Sequence, residues 1–504
     1  MTTIYSNIRV EDAPLSVGMR FCEGSEMRSI GAPTQYDGDA KHWRHMKKNA
    51  GRTKKQATAY RVGFKKMRTQ TRKHHQHQIN GKIFHENNQG WKTVHVWGEP
   101  FERGFAHGAL LYKDLARIKK SLPFMVKTLI NIKFSEYMAA TKQIIVPIVK
   151  KYPEYYQEIR GISAGASQKR LDISTDFLIG WNAFLSLYSH FIEGKSHTQK
   201  IERCSAFIAT GNATKNGDIV MAHTTHSDLI TGQLLNIVLK VTPTNGHEFV
   251  MQTSAGLIAS TSDWYISKSG IVCCETTIAD ISYSPKFGVP FFLRIREAIQ
   301  YASTLDDCIY IMTNKNAGDY SCSWLFGDTK TGEIMLLELG LATKNIRRTT
   351  NGVFYGMNSA IGQELRTLET TDTDFHNIES LSGNRNYRLN YLLNTQYYGR
   401  IDSTIAKKIM GDHYDMVLGK QSMNRRVICK HPELDIASLY KPYSCTDGKV
   451  LTTSMAKNLK FLGIFGSGCG KREFKKREYI REHPEYKEWG SHLEDMPMQK
   501  WVVL

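Results

Sequence analysis

Glu202-Arg203-Cys204-Ser205-Ala206-Phe207-Ile208-Ala209-Thr210, followed after a polar gap by Asn216-Gly217-Asp218-Ile219-Val220-Met221-Ala222-His223, is the stretch on which the fold turns. Cys204 opens an apolar run of strand formers, a turn rich in Asn, Thr, Lys and Gly follows, and a second apolar run closes the pattern. This spacing predicts a β-hairpin. It sets a thiol at the head of one strand and an imidazole at the end of its partner, an arrangement that can support covalent catalysis. Taken alone, a cysteine beside a hydrophobic strand reads first as a buried, inert thiol, because free cysteine is among the most buried residue types. The surrounding chain has to decide between the two.

Downstream of Cys204 the hairpin grammar repeats. Gln233–Val241 and Glu248–Gln252 flank the turn Pro243-Thr244-Asn245-Gly246, and Trp264-Tyr265-Ile266 leads through Lys268-Ser269-Gly270 into Ile271–Thr277. Ser323–Asp328 pairs with Glu333–Glu338 across Thr329-Lys330-Thr331-Gly332, and helices are predicted over Pro290–Tyr301 and Leu305–Met312. Upstream, an edge strand is expected at Trp91–Trp97. Helices follow from Phe101 through Ile118, from Pro123 to Lys151, from Pro153 to Gly165 and around Thr175–Ser189. Antiparallel strands with helices before, between and after them indicate layered α+β rather than βαβ units. Cys273 and Cys274 fall in an apolar run and read as core. The segment Gly463–Lys471 resembles a phosphate loop but fails on spacing, with Phe465 and Arg472 where Gly and Ser or Thr are required.

The 504 residues carry a net charge of +19, and 13 Lys and Arg with no Asp or Glu lie between Lys41 and Asn80. That segment therefore accounts for +13, and the basic character belongs to one arm rather than to the whole chain. Like charges keep such an arm solvated, and it is expected to be disordered together with the Gly-, Pro- and Ser-rich leader before it. The arm offers a contact for nucleic acid or another anionic surface, with Trp43, Tyr60 and Phe64 interleaved for stacking. Its cluster His74-His75-Gln76-His77 lacks a nearby carboxylate or thiolate, which makes it a poor metal site. Nine scattered cysteines with no CxxC pair argue against a disulfide framework and against structural zinc, and fit reduced thiols in a cytosol-like compartment. No window of about 18 apolar residues occurs, so no transmembrane helix is expected. Asn7, Arg9, Glu11 and Asp12 stand where a secretory signal would need an apolar centre, which points to a soluble protein without one.

From about Trp97 to Gly470 the chain resembles the penicillin acyltransferase-like family of N-terminal-nucleophile (Ntn) hydrolases, which is related to phospholipase B-like proteins. The matching stretches stand in family order. They are Glu102-Arg103-Gly104 with His107-Gly108, Cys204-Ser205-Ala206-Phe207 leading to Ala222-His223, and Asp263-Trp264-Tyr265 with Gly270 and Glu275-Thr276-Thr277-Ile278. Trp324-Leu325 with Gly327-Asp328 and Gly332-Glu333-Ile334 follow, then Asn358, Arg385, Arg388-Leu389, Cys429-Lys430-His431-Pro432 and Gly448-Lys449-Val450.

The resemblance implies a four-layer αββα sandwich with antiparallel sheets, and a precursor that cuts itself between Arg203 and Cys204. Cys204 would then be the nucleophile and its own α-amino group the base, with no metal and no organic cofactor. Asn358 is the implied oxyanion or amine partner, and His223 takes the place of a polar active-site residue. Arg385 or Arg388 would orient a substrate carboxylate or phosphate, with Asp263 also near the substrate. Each has a plainer reading: a structural imidazole for His223, a turn residue for Asn358, exposed arginines, and structural carboxylates for Asp263 and Glu275. The implied substrate is a small acyl compound, an amide, ester or lipid. The chain departs from the family at Thr224-Thr225-His226, where relatives carry Asn-Thr-Trp or Asn-Ser-Trp. It departs again at Cys322, where relatives usually carry an asparagine. The resulting division is a leader and basic arm (1–88), a helix-rich part (89–203), a strand-rich catalytic part (204–470) and a charged C-terminal extension (471–504). The competing reading is a degenerate hydrolase fold that serves as a structural or polyanion-binding protein through residues 41–80.

Overall fold

The expected hairpin forms: Ser205–Gly211 and Gly217–Thr224 pair antiparallel, with Ala206 opposite His223. The computed structural model describes residues 78–192, 204–261, 263–282, 287–314, 319–435 and 442–504. The leader, nearly all of the basic arm, and Glu202-Arg203 lie outside the described residues, and with them the expectations of disorder and polyanion binding and the Arg203 side of the cleavage site.

In chain order the strands are β1 (Gly81–Asn88), β2 (Trp91–Gly98), β3 (Ser205–Gly211), β4 (Gly217–Thr224), β5 (His226–Asp228), β6 (Ile237–Pro243) and β7 (Phe249–Thr253). There follow β8 (Trp264–Ser267), β9 (Ile271–Thr277), β10 (Cys322–Asp328), β11 (Glu333–Leu339), β12 (Lys344–Thr349) and β13 (Gly352–Gly356). The last are β14 (Tyr414–Asp415), β15 (Lys420–Gln421), β16 (Tyr443–Cys445), β17 (Asp447–Thr452), β18 (Leu462–Phe465) and β19 (Val502–Val503). Nine of them form a large sheet in the order β1-β2-β6-β7-β8-β9-β10-β11-β12, and six form a smaller one, β13-β3-β4-β17-β18-β19.

The two sheets stack, with β3 and β4 against β9 and β10. Helices Pro100–Leu110, Phe291–Tyr301 and Leu305–Thr313 pack on the large sheet, and helix Ser403–Met410 packs on β4 and β17 of the small one. The class is therefore α+β with the layering αββα. The alternation along β3 explains why its sequence reads as unbroken apolar residues. Ala206 and Ile208 enter the core shared with the large sheet, while Phe207 and Ala209 enter a second core with Leu389, Leu393, Ile409 and Met410 from the covering helices. A strand buried on both faces has no polar side to show.

Glycine sets the spacing of the outer helical layer. A Cβ on Gly104 would lie 2.0 Å from the Glu158 carbonyl oxygen, and one on Gly108 would lie 2.0 Å from that of Ile162. Helices Pro100–Leu110 and Pro153–Gln168 can meet this closely only because no side chain intervenes. Across the contact, buried Glu158 accepts from Arg103 Nε at 2.7 Å and from Arg296 Nη2 at 2.9 Å, tying three helices together.

Several expectations need correction. Residues 81–88 form β1 and pair with β2, so the ordered body begins before the expected boundary at 88, and β2 is an inner strand. β2 also runs parallel to β6, one parallel pair within an otherwise antiparallel sheet. The stretch 123–151 is not one helix: Pro123 lies near the end of helix Tyr112–Met125, wide turns occupy Val126–Ile130 and Thr141–Ile145, and Asn131 takes a left-handed φ of 61°. β6 starts at Ile237 because Leu229–Gly232 forms a helical turn first. The C-terminal extension docks on the body, with β19 paired to β18 and Trp501 packed over Gly448. No helix of the described residues is long and apolar enough to cross a membrane.

Candidate active site

Cys204 stands immediately before β3 and is 3% exposed. It has the parity of Ala206 and Ile208, so its side chain belongs to the side of the small sheet that faces the large one. A narrow crevice, part of it open to solvent, runs alongside; Trp181, Phe184, Thr225, His226, Asp263 and Tyr320 line it with Cys204.

The strand order explains who reaches the thiol. β13 pairs with β3 so that Gly356 faces Ala206, and continuing that register by two residues brings Asn358 beside Cys204. Asn358 is buried and holds φ at 79°, a left-handed conformation that asparagine tolerates better than other side chains. Its amide nitrogen donates to the Thr277 carbonyl at 2.9 Å. Arg385, on helix Leu381–Tyr391, donates from Nη2 to Asn358 Oδ1 at 3.0 Å, and from Nη1 to the Cys204 carbonyl at 2.7 Å and to Ser205 Oγ at 3.0 Å. One fully buried guanidinium thus fixes the cysteine backbone and the asparagine amide together.

His223, at the end of β4, is fully buried and bonds the Glu275 carbonyl through Nε2 at 2.9 Å. A nitrogen of His223, the Cys204 sulfur and an Asp263 oxygen all lie within 4.8 Å of one another. As a metal site this trio lacks a fourth His, Cys, Asp or Glu donor among the described residues. Burial, and then Lys449, hold the His223 pKa well below the ordinary histidine value, so its ring is neutral. Burial likewise pushes the Cys204 thiol up, and the Asp263 and Glu275 carboxylates push it further; the His226 backbone amide and Lys449 only partly oppose this. In the uncut chain the sulfur is a protonated thiol.

The structure brings Cys204, His223, Asn358, Arg385 and Asp263 together and leaves Arg388 out. Arg388 grips Asp412 through two bonds of 2.9 and 2.7 Å and stacks over Tyr414, so its guanidinium is used within the scaffold. Neither arginine is the exposed residue that the plainer reading expected; both are buried. Cys273 and Cys274 are buried core, as expected. Cys322 begins β10, fully buried, two residues from crevice-lining Tyr320, whose hydroxyl donates to Glu275 at 3.2 Å.

Sequence reasoning missed a buried ion pair. Lys449 Nζ lies 3.0 Å from Asp447 Oδ1 and donates to Thr225 Oγ1 at 2.8 Å, while Asp447 also accepts from the Thr225 amide and from Gln252. Lys449 faces His223 across the β4–β17 register. The signal was the charged residue inside Gly448-Lys449-Val450, a strand otherwise buried. The loop that carries Asp263 toward the thiol is held from the helical layer: His107 Nε2 accepts the Gly256 amide at 2.8 Å, and Asn182 bonds both Gly256 and Ile258. Arg103 and His107 of the upstream motifs therefore serve the helical layer and this loop rather than the crevice itself.

No protein-family model matches the chain. A protein of Archaeoglobus fulgidus described as uncharacterized is 24% identical over 259 residues, which cover 48% of this chain and 42% of that protein. The chain thus matches less than half the length of this relative. Among solved structures, a mutant of conjugated bile acid hydrolase from Clostridium perfringens aligns over 52% of this chain and 89% of its own, at 10% identity and a TM-score of 0.32. Penicillin V acylase from Agrobacterium tumefaciens aligns over 52% of this chain and 82% of its own, at 10% identity and a TM-score of 0.28. The fold assignment rests on the stacked sheets and their flanking helices.

Proposed function

We propose that this chain is a cysteine-nucleophile Ntn hydrolase or acyltransferase that matures by cutting itself between Arg203 and Cys204. The observation that carries the reading is the hydrogen-bonded chain from the Cys204 backbone through Arg385 to the Asn358 amide, beside a crevice that reaches the sulfur. In maturation the Cys204 sulfur adds to the Arg203 carbonyl carbon, the peptide nitrogen leaves as a free amine, and water hydrolyses the resulting thioester. The new α-amine, with a reference pKa of about 7.7–8.0, replaces an uncharged peptide nitrogen and takes the thiol proton at neutral pH.

The thiolate then attacks the carbonyl of an amide or ester. A thioester forms, and the leaving amine or alcohol receives the proton held on the α-ammonium. Water or an acceptor amine releases the acyl group and restores the thiol. Asn358 stabilises the developing oxyanion as an amide donor that Arg385 holds in place beside the cysteine. Asp263 faces the new ammonium, and Arg385 is a positioning residue.

Intact-mass analysis tests this directly. Wild type is expected as two fragments with Cys204 at a new amino terminus, and Cys204→Ala as one uncut chain. An uncut wild-type chain that also resists thiol-directed acylating probes would overturn the reading. Product analysis with and without an acceptor amine then separates hydrolysis from acyl transfer.

A further inference from the structure

Away from the crevice, His413, Cys429, His431 and Cys469 converge, with one potential ligand atom from each lying within 4.8 Å of all the others. His413 Nε2 and His431 Nε2 are 3.1 Å apart, and His431 Nε2 lies 3.6 Å from the Cys429 sulfur and 3.7 Å from the Cys469 sulfur. A tetrahedral zinc with Zn–N of about 2.0–2.1 Å and Zn–S of about 2.3 Å requires ligand separations of about 3.3 Å for N–N and about 3.6 Å for S–N. The observed edges match that figure to within a few tenths of an ångström.

The hydrogen-bond arithmetic points the same way. His431 Nδ1 bonds Glu433 Oε1 at 2.9 Å. In the neutral ring that bond places the hydrogen on Nδ1, so Nε2 presents a lone pair to one imidazole nitrogen and two sulfurs at once. One lone pair cannot serve three neighbours, and thiols are weak donors; a cation at the centre would satisfy all four groups. The carboxylate behind His431 is the partner that metal-bound histidines characteristically have.

We propose that these four residues form a structural zinc site. Two thiolates and two neutral imidazoles balance Zn²⁺, so the site carries no net charge into an environment where His413, Cys429 and His431 are buried. Binding releases the two thiol protons. Four protein donors leave no open position, which makes the role structural rather than catalytic.

The ligands come from three places: the turn after helix Ser403–Met410, the loop before Pro432, and the turn after β18. Zinc would pin the irregular excursion 411–435 to the β17–β18 side of the small sheet. Cys445 lies beside Cys429, yet its sulfur already receives the Gly468 amide at 3.3 Å and sits 2.9 Å from Thr224 Oγ1, so it supports the site from outside. Through Thr224 the site abuts Thr225 and His226 of the crevice. The sequence argued against structural zinc because the cysteines are scattered, and only folding joins positions 413, 429, 431 and 469.

The test is metal content of the full-length protein from zinc-replete culture, by mass spectrometry of the elements after exhaustive dialysis. One zinc per chain is expected. It should be lost in Cys429→Ser and His413→Gln and kept in Cys308→Ser and in Cys204→Ala, the latter separating this outcome from that of the proposed catalysis. Cobalt substitution should give the thiolate-to-metal charge-transfer and tetrahedral d–d bands. Should the ligand variants fail to fold, Glu433→Gln gives a second measure, with zinc affinity expected to fall about 10–100-fold in competition with a chromophoric chelator. Metal-free wild type, a Cys429–Cys469 disulfide found by peptide mapping, or zinc content unchanged by Cys429→Ser would overturn the proposal.

Discussion

Asn358 concentrates two demands in one residue, a left-handed backbone and an amide that bonds both Arg385 and the Thr277 carbonyl. They can be separated by substitution. Asn358→Gly keeps the backbone conformation available and removes only the amide, so the fold should survive. Turnover should fall about 10²–10³-fold, the usual cost of losing an oxyanion donor. Asn358→Ala loses the same amide and adds backbone strain of about 1–2 kcal/mol. Its denaturant midpoint should therefore lie below that of the glycine variant, with the two equally inactive. Equal stability of the two variants would mean that the backbone at 358 relaxes without cost.

At the scale of elements, the contact between helices Pro100–Leu110 and Pro153–Gln168 depends on backbone approaching backbone. Gly108→Ala gains up to about 1 kcal/mol in helix propensity. Its Cβ, however, meets the Ile162 carbonyl, which cannot move as a side-chain tip could. Overpacking of this kind costs about 1–3 kcal/mol. A net loss is expected in denaturant unfolding, accompanied by weaker protection of the 254–261 loop amides in hydrogen exchange, because His107 on the same helix holds Gly256. Unchanged exchange there would uncouple the helical layer from the loop that carries Asp263.

For the whole molecule, buried imidazoles predict acid sensitivity. Burial lowers the His107 pKa from 6.5 to about 4, against the smaller opposing pull of Glu158 and Asp114. Its folded value lies below its unfolded one, so the unfolded chain binds a proton first as pH falls. Stability is complete above about 6.5 and is lost progressively down to about 4. The difference is worth about 3 kcal/mol. His223 shifts in the same direction. Thermal melts from pH 7 to pH 4 should show this decline, and His107→Gln, which keeps an acceptor for the Gly256 amide, should flatten it. Identical pH profiles would remove His107 as a cause.

Local pattern was enough to reveal the β3–β4 hairpin, the β10–β11 register and the α+β class, because strand alternation, turn residues and helix periodicity act over a few residues. The resemblance supplied Cys204, His223, Asn358 and Arg385 as candidates without saying that one guanidinium would join two of them. It also made Arg388 a candidate, and only Asp412, 24 positions away, removes it from the crevice. The gathering of His413, Cys429, His431 and Cys469 had no sequence spacing to announce it. Asp447 and Lys449 stand two positions apart on β17, and what only folding added is their burial against Thr225 and Gln252. What the sequence determined by itself is the α+β class and local hairpins such as β3–β4 and β10–β11, since these follow from neighbours along the chain. The nucleophile candidate came with the resemblance, and β1 and the breaks within 123–151 had no local signal. What only the tertiary structure decided is which charges are buried, which are paired and which donors share a centre, because those depend on residues that are distant in the chain and adjacent only once the two sheets have stacked.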